Sequence, residues 1–427
     1  MANGKEMRKW VFALGLIAVG FSLAVDLHLT TKYGGVDLRD KIVSARDLMA
    51  GRSMYYDPWQ PGEPEQFADP SLTPGTVMTR YTGTPFQALL LAPIGLLPFG
   101  TARLAWLFLQ YALLLGALLV VFRAFVPAQE RSGPAWALWV LLLVVLVASD
   151  SWRLHVERGQ VYIIFAFLIA ALFSALAARR DLLFGVVAMA LVLLKPPALL
   201  VFVPLLLRQT RRMWAGAALL LLAATVAFLL LPQGLAAWPT YFAAMQEWGA
   251  YAAMGEPPVI HPGIFLYPET IEGLTNLGTS HDMEFEDGSV FVIFDALYTR
   301  LPEWTAYASV LLFFGVTALL FSRTRFSRPD LLLWGFCGWI IFMMLMPVPR
   351  FNYQFVLWAA PVCYLLVHYR HRPFKWNALL VVAAILVLGG WSLLPVSILL
   401  AETILLALVL FYLAQAARGG ASHGLQT

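Results

Sequence analysis

The sequence predicts an all-α polytopic membrane protein, a single integral-membrane domain over residues 1–427. Of these residues 60% are hydrophobic and only 13% are charged, and the mean hydropathy is +0.74. Soluble domains carry roughly 25% charged residues. Apolar runs follow one another along the chain, about twelve in all, which excludes a soluble enzyme or a nucleic-acid-binding protein.

Two of the apolar runs depart from a simple span. In chain order the runs are Trp10–Val25, Pro85–Pro98, Ala102–Phe122, Ala135–Ala148, Gln160–Ala177, Leu182–Leu207, Met213–Leu231, Trp304–Phe321, Leu331–Met346, Phe355–Val367, Ala378–Leu394 and Val396–Ala414. The second has only 14 residues, fewer than the roughly 20 that a span needs, so it predicts a re-entrant or interfacial helix. The sixth contains Lys195-Pro196-Pro197, which predicts two short helices that meet at a break lining a cavity.

The distribution of charge predicts the orientation. Basic residues concentrate in short loops on one side, and by the positive-inside rule both termini are cytoplasmic. Residues 26–98 then form a first outer loop and residues 232–302 a second. The first run predicts a retained signal anchor. Cys337 and Cys363 fall inside apolar runs, so neither a disulfide nor a zinc site is expected, and no metal or cofactor is predicted.

Behind the first run, Val36–Tyr56 predicts an amphipathic helix that lies on the membrane surface. It begins after Gly34-Gly35 and ends at Gly51, where a glycine is expected just past a helix C-terminus. Asp37 lies in its first turn, where the helix N-terminus favours the ionised carboxylate. This residue is a candidate general base at the lipid–water boundary, and the alternative is a simple helix cap.

Several basic residues lie where topology does not require them. They are Arg39, Arg80, Arg158, Lys195 and Arg350, all predicted on the outer face. A lysine in the middle of an apolar run is costly and indicates a functional site, although its side chain could also extend to the membrane interface.

Each of the other candidates also has a structural alternative. Arg158 and Gln160 could bind a phosphate or a sugar, or cap the following helix. Arg350 could be an interfacial anchor, and His155 an ordinary loop histidine.

One carboxylate and several cations at the lipid boundary suit a substrate with an apolar tail and an anionic head, such as a polyprenyl-phosphate sugar. The carboxylate would deprotonate an acceptor hydroxyl, which attacks the anomeric carbon while the lipid phosphate leaves. Arginine and lysine would stabilise the charge that develops on the phosphate. A single displacement inverts the anomeric centre.

An ordered series of motifs resembles glycosyltransferase family 87, bacterial membrane enzymes that include polyprenol-phosphate-mannose-dependent mannosyltransferases. The motifs are VDLRDKIVSARDLMAGRSMYYDPW, TRYTGTPFQALLLAPIGLLP, ERGQVYIIFAFLIAALF, LLKPPALLVFVPLLLR and, more weakly, PRFNYQFVLWAAPV. The resemblance implies a GT-C fold with about twelve transmembrane helices. It also implies a polyprenyl-phosphate donor, a glycan or glycolipid acceptor of the cell envelope, and an active site on the outer face of the bacterial inner membrane.

The site residues follow from both arguments together. Asp37 is the predicted base, Lys195, Arg158 and Arg350 bind the donor phosphate, and Arg39, Arg80, Gln160, His155 and Tyr353 bind substrate. Two alternatives stay open: a transporter or flippase of lipid-linked sugars, since broken helices serve transporters too, and a structural subunit of an envelope-assembly complex.

Overall fold

A computed structural model describes residues 3–32, 35–60, 62–69, 79, 81–131, 134–254, 304–320, 326–346, 351–369, 374–389 and 397–419. Every regular element in these ranges is a helix, which confirms the predicted all-α class. The helices are α1 Asn3–Lys32, α2 Val36–Ala50, α3 Pro85–Gly95, α4 Phe99–Phe125, α5 Pro134–Val147, α6 Asp150–Arg158, α7 Tyr162–Ala177, α8 Asp181–Leu194, α9 Arg211–Leu229, α10 Ala237–Met254, α11 Trp304–Leu320, α12 Arg328–Leu345, α13 Ala359–His368, α14 Phe374–Gly389 and α15 Ser397–Gly419. Two longer 3-10 helices, Pro196–Arg208 and Asn352–Trp358, follow α8 and precede α13.

Four helices in the described ranges are long and apolar enough to cross a membrane, and α5 with α6 would make a fifth span bent by 56°. The four are Lys9–Thr31, Phe99–Phe125, Arg211–Leu229 and Arg328–Leu345. Several other apolar helices, among them α3, α7 and α8, have fewer than 18 residues and are not counted among these spans. The chain is a helical membrane protein, while the GT-C arrangement of about twelve spans stays a prediction.

Glycine and proline residues in the sequence correctly predicted two features of the fold. Helix α2 begins after Gly35 and ends at Gly51, both in the left-handed region, as the glycine pattern predicted. Helix α8 stops at Leu194, and the chain continues from Lys195 into the 3-10 helix Pro196–Arg208, so the predicted break is confirmed. A proline cannot donate to the helical ladder, which explains the end of α8.

One polar segment between two of the predicted spans forms a helix. Residues Asp150–Arg158 form helix α6, which Ser149 caps by accepting from the Trp152 N–H at 3.0 Å. The stretch buries most of its side chains despite its charges. The first helix also runs to Lys32, seven residues beyond the predicted Val25.

The core lies between α4, α7 and α13, where the rings of Phe173 and Tyr364 stack at 4.7 Å. Beside it, α8 and α9 pack with their backbones in direct contact near the start of each helix. A Cβ at Gly185 would lie 1.9 Å from the Met213 carbonyl oxygen, and one at Gly216 would lie 2.1 Å from that of Leu182. Small residues allow this approach in membrane helices.

Candidate active site

Two glycines bring the start of α2 against the end of α6. The Gly35 N–H donates to the carbonyl of Glu157 at 2.5 Å, and Gly35 has a φ of 76°. Gly159 ends α6 with a φ of 71°, and a Cβ there would lie 2.4 Å from the Cβ of Leu38. Glycine alone accepts both this backbone conformation and this approach without strain. The first turn of α2 therefore meets the end of α6.

Asp37, the predicted base, lies at this junction and accepts three hydrogen bonds. The Arg158 guanidinium donates Nη2–H to Oδ1 at 3.0 Å and Nε–H to Oδ2. Gln160 donates Nε2–H to Oδ2 at 2.6 Å. The side chains of Arg158 and Asp37 are 17% and 18% exposed, so the pair is shielded yet reachable. Three residues predicted to share a site are thus in contact, across a sequence separation of 121 to 123 residues.

The Asp37 carboxylate lies among positively charged groups. The fork geometry of an arginine–carboxylate pair gives strong, directional hydrogen bonds, and the N-terminus of α2 adds a positive partial charge. Lys41, one turn further along α2, donates to the Asp37 backbone carbonyl and lies 3.4 Å from the Asp40 carboxylate. The Asp37 carboxylate therefore lies beside two cationic side chains, those of Arg158 and Lys41.

A row of aromatic rings connects this centre with Lys195. The Tyr353 ring lies 5.7 Å from the Tyr162 ring, and the Lys195 ammonium lies 5.9 Å from the centre of the Tyr162 ring. Tyr353 is 6% exposed and lies within electrostatic range of Asp37 and Arg158. Lys195 is half-buried. The carboxylate thus lies at one end of the row and the ammonium at the other.

Arg39 has contacts of a different kind. Its guanidinium donates to the carbonyls of Ala68, at 2.8 Å, and Glu65, at 3.1 Å, and it lies 4.9 Å above the Phe99 ring. The side chain is 2% exposed. These contacts bind the loop after α2 to the start of α4, and the expected role of Arg39 in substrate binding stays a prediction.

His155 is fully buried beneath the site. Its Nε2 accepts from the Ile163 N–H at 3.2 Å, and its ring stacks on Trp152 at 5.7 Å. Trp152 in turn meets the Tyr111 ring edge-on at 5.2 Å. These contacts hold α6 against α7 and α4, and so hold Arg158 in place.

Two of the predicted cations, Arg80 and Arg350, lie outside the described residues. Within the described ranges, no group of three or more His, Cys, Asp or Glu side chains is placed to hold a metal ion.

Helix α2 carries two further buried carboxylates, Asp40 and Asp47. Burial raises the pKa of Asp40 well above its usual range, and the neighbouring Lys41 opposes this effect. Burial also raises the pKa of Asp47 from 3.8 to about 8, although the Arg52 guanidinium lies 3.0 Å away. In both cases the free-energy cost of burying the charged carboxylate exceeds the stabilisation that the one neighbouring cation provides.

Asp47→Asn should make stability less dependent on pH between about 4 and about 8. The pKa of Asp47 is higher in the folded chain, so ionisation through this window lowers the stability of the wild type. Asparagine has no proton to lose, and the stability of the variant relative to the wild type should rise with pH. Thermal unfolding in detergent at about pH 5 and about pH 8 measures this difference. A difference that is equal at both pH values would contradict it.

Tyr162 is the residue that sequence reasoning missed. It begins α7, two residues after Gln160. The centre of its ring lies 5.7 Å from that of the Tyr353 ring and 5.9 Å from the Lys195 ammonium. The signal was its place inside the ERGQVYIIF motif, which also contains Arg158 and Gln160.

The comparisons with known proteins agree with the resemblance drawn from the motifs. Residues 81–256 match the model of glycosyltransferase family 87. No curated protein matched the chain significantly. The matched stretch contains Arg158, Gln160, Tyr162 and Lys195, while Asp37 precedes it. Over residues 81–256 the chain is therefore similar to glycosyltransferase family 87, and this similarity supports a membrane glycosyltransferase.

Proposed function

We propose that the protein transfers a mannose-like hexose or a pentose from a polyprenyl-phosphate donor to a hydroxyl of a cell-envelope glycan or glycolipid, with inversion. The observation that carries this proposal is the shielded Asp37 carboxylate, held by Arg158 and Gln160. A pre-oriented carboxylate beside cations suits a displacement in which a proton is removed on one side and an anion leaves on the other.

In the proposed step, Asp37 accepts the proton of the acceptor hydroxyl as the hydroxyl oxygen attacks the anomeric carbon. The new glycosidic bond forms while the bond between that carbon and the phosphate oxygen breaks. The phosphate oxygen leaves with the electron pair, and the product is polyprenyl phosphate. Arg158 and Gln160 fix the rotamer of Asp37, so the carboxylate needs no reorganisation during the reaction.

Lys195 is the cation that we assign to the departing phosphate. Its ammonium lies 5.9 Å from the centre of the Tyr162 ring, and we place the sugar between this ammonium and the Asp37 carboxylate. The break after α8 frees backbone from the helical ladder at this point, as in membrane proteins whose broken helices line a cavity. The distribution of basic residues supports an active site on the outer face of the bacterial inner membrane, with both termini cytoplasmic.

An assay of purified protein in nanodiscs tests the reaction. The protein is offered a panel of short-chain polyprenyl-phosphate sugars with candidate acceptor glycans, and release of polyprenyl phosphate is measured. Acceptor-dependent release supports the proposal and identifies the sugar. Donor binding without turnover for every sugar would instead favour a transporter of lipid-linked sugars.

Lys195→Met should weaken donor binding about tenfold, because a charge-assisted contact to the phosphate is lost. Tyr162→Leu should weaken it several-fold if the ring holds the ammonium, since such cation–π contacts contribute roughly 0.5–2 kcal/mol. The matched control is Tyr162→Phe, which keeps the ring and should bind normally.

A double-mutant cycle separates this arrangement from two independent effects. Once Lys195 is replaced by methionine, Tyr162→Leu should cost little further affinity for the donor. Fully additive losses would show that Tyr162 does not act through Lys195, and unchanged affinity in Lys195→Met would refute the phosphate assignment.

A further inference from the structure

A cavity lies on the side of α2 opposite Asp37. It has a volume of about 550 Å³ and is enclosed by α2, the loop after it, the end of α3 and the start of α4. Its lining includes Arg39, Arg46, Phe67 and Phe99. At about 100° per residue, Arg46 lies on the opposite side of α2 from Asp37. The cavity is therefore separate from the candidate active site, and its size is within the range of small-molecule sites.

The cavity carries positive charge. Its ionisable lining side chains are Arg39, Arg46 and Glu65, so the positive charge exceeds the negative by one. Arg46 donates to the carbonyls of Gly95, Gln66 and Leu97 at 2.8, 2.7 and 2.8 Å. These three acceptors carry no formal charge and satisfy three of the five N–H groups of a guanidinium, while the neighbouring Asp47 carboxylate acts on its charge. Arg46 is half-buried, and this burial lowers the pKa of its guanidinium.

The rim of the cavity is apolar and lies at the end of a candidate span. Leu96 is 80% exposed and Met49 is 46% exposed. Pro98 and Phe99 also line the cavity, and the span Phe99–Phe125 begins at this point. The cavity thus has cations in its lining, apolar side chains at its rim and a candidate transmembrane helix that begins beside it. This combination is expected at the level where lipid headgroups meet hydrocarbon.

We propose that this cavity binds the phosphodiester headgroup of an anionic phospholipid, with the guanidinium of Arg46 contacting the phosphate and an acyl chain leaving over Leu96. The single negative charge of a phosphodiester matches the surplus positive charge of the lining. Arginine is suited to phosphate because its N–H groups form a planar fork. This binding is independent of sugar transfer, and it ties the α2 helix to the bilayer on the side opposite the carboxylate.

Lipid retention tests the site. The protein is reconstituted in nanodiscs with equal amounts of phosphatidylglycerol and phosphatidylcholine, released into mild detergent, and its retained lipids are counted by native mass spectrometry. We expect phosphatidylglycerol to be retained about tenfold more than phosphatidylcholine. Both lipids carry the phosphodiester, but the quaternary ammonium of choline makes phosphatidylcholine neutral overall and opposes its binding beside the surplus positive charge. Equal retention of the two lipids would overturn the proposal.

Variants at the rim locate the effect without disturbing the fold. Leu96→Glu places a negative charge at the mouth and should abolish the preference, while the matched control Leu96→Gln should keep it. Leu230→Glu, at a residue that is 82% exposed at the end of α9, controls for a general effect of charge and should also keep it. A preference that survives in Leu96→Glu, or that is lost equally in Leu230→Glu, would refute the assignment to this cavity.

Two further arms identify the ligand and the site. Lys195→Met should leave the preference intact, because that ammonium belongs to the other site, and loss of the preference there would contradict the proposal. Glycerophosphoglycerol is the water-soluble headgroup of the same lipid. Competition by it at concentrations equal to those of the lipid would assign the cavity to a soluble phosphodiester and overturn the lipid assignment.

Discussion

Asp37→Asn should reduce the transfer rate roughly a thousandfold while leaving the fold intact, the loss expected when a general base is removed. Asparagine is close to aspartate in shape, and its amide oxygen can still accept from Arg158. It caps a helix almost as well as aspartate does, so a role in capping alone would leave activity in place. The assay is release of polyprenyl phosphate at saturating donor and acceptor.

Asp47→Asn provides the matched control for this experiment. It makes the same chemical change on the same helix, at a carboxylate that pairs with Arg52 rather than with Arg158. Transfer by this variant should stay near the wild-type rate. If Asp37→Asn kept more than about a tenth of the activity, Asp37 would not be the base and the proposed mechanism would need another carboxylate.

Arg158→Gln should lower kcat about a hundredfold with little change in the donor KM, because the guanidinium fixes the base and the donor does not need it for binding. Arg158→Lys should recover only part of the loss, since an ammonium supplies the charge without the fork. Steady-state kinetics with varied donor concentration separate the two parameters. Circular dichroism and thermal unfolding confirm that each variant is folded.

The same kinetics distinguish two roles for Arg158. The sequence predicted that Arg158 binds the donor phosphate, whereas the structure places its guanidinium on Asp37. A rise in donor KM with kcat unchanged would support the first role and contradict the second.

Local signals predicted the parts of the site that depend on backbone chemistry. The glycines around α2 set its bounds, because only glycine readily adopts the left-handed conformation found at Gly35 and Gly51. The Lys-Pro-Pro sequence set the break after α8, since proline ends a helix. These features need only a few neighbouring residues, and a single sequence contains them.

Features that depend on tertiary packing were harder to predict from the sequence. Helix α6 looked like a loop because its polar side chains are satisfied by distant partners, such as Asp37 for Arg158. The position of Tyr162 between Tyr353 and Lys195 depends on segments far apart in the chain. Arg39 could be predicted to lie near the membrane surface, but its hydrogen bonds to loop carbonyls depend on the conformation of residues 65–68.

The three hydrogen bonds to Asp37 restrict how an acceptor can approach it. A carboxylate offers about four lone-pair directions, and Oδ2 accepts two bonds while Oδ1 accepts one. Among the contacts made by the described residues, one direction on Oδ1 is left for an incoming hydroxyl. An acceptor with several hydroxyl groups can then present only the one whose O–H bond points along that line while its carbon skeleton clears Arg158. The regiochemistry of the glycosidic linkage would thus be determined by the side chains that hold the base, before any residue touches the acceptor.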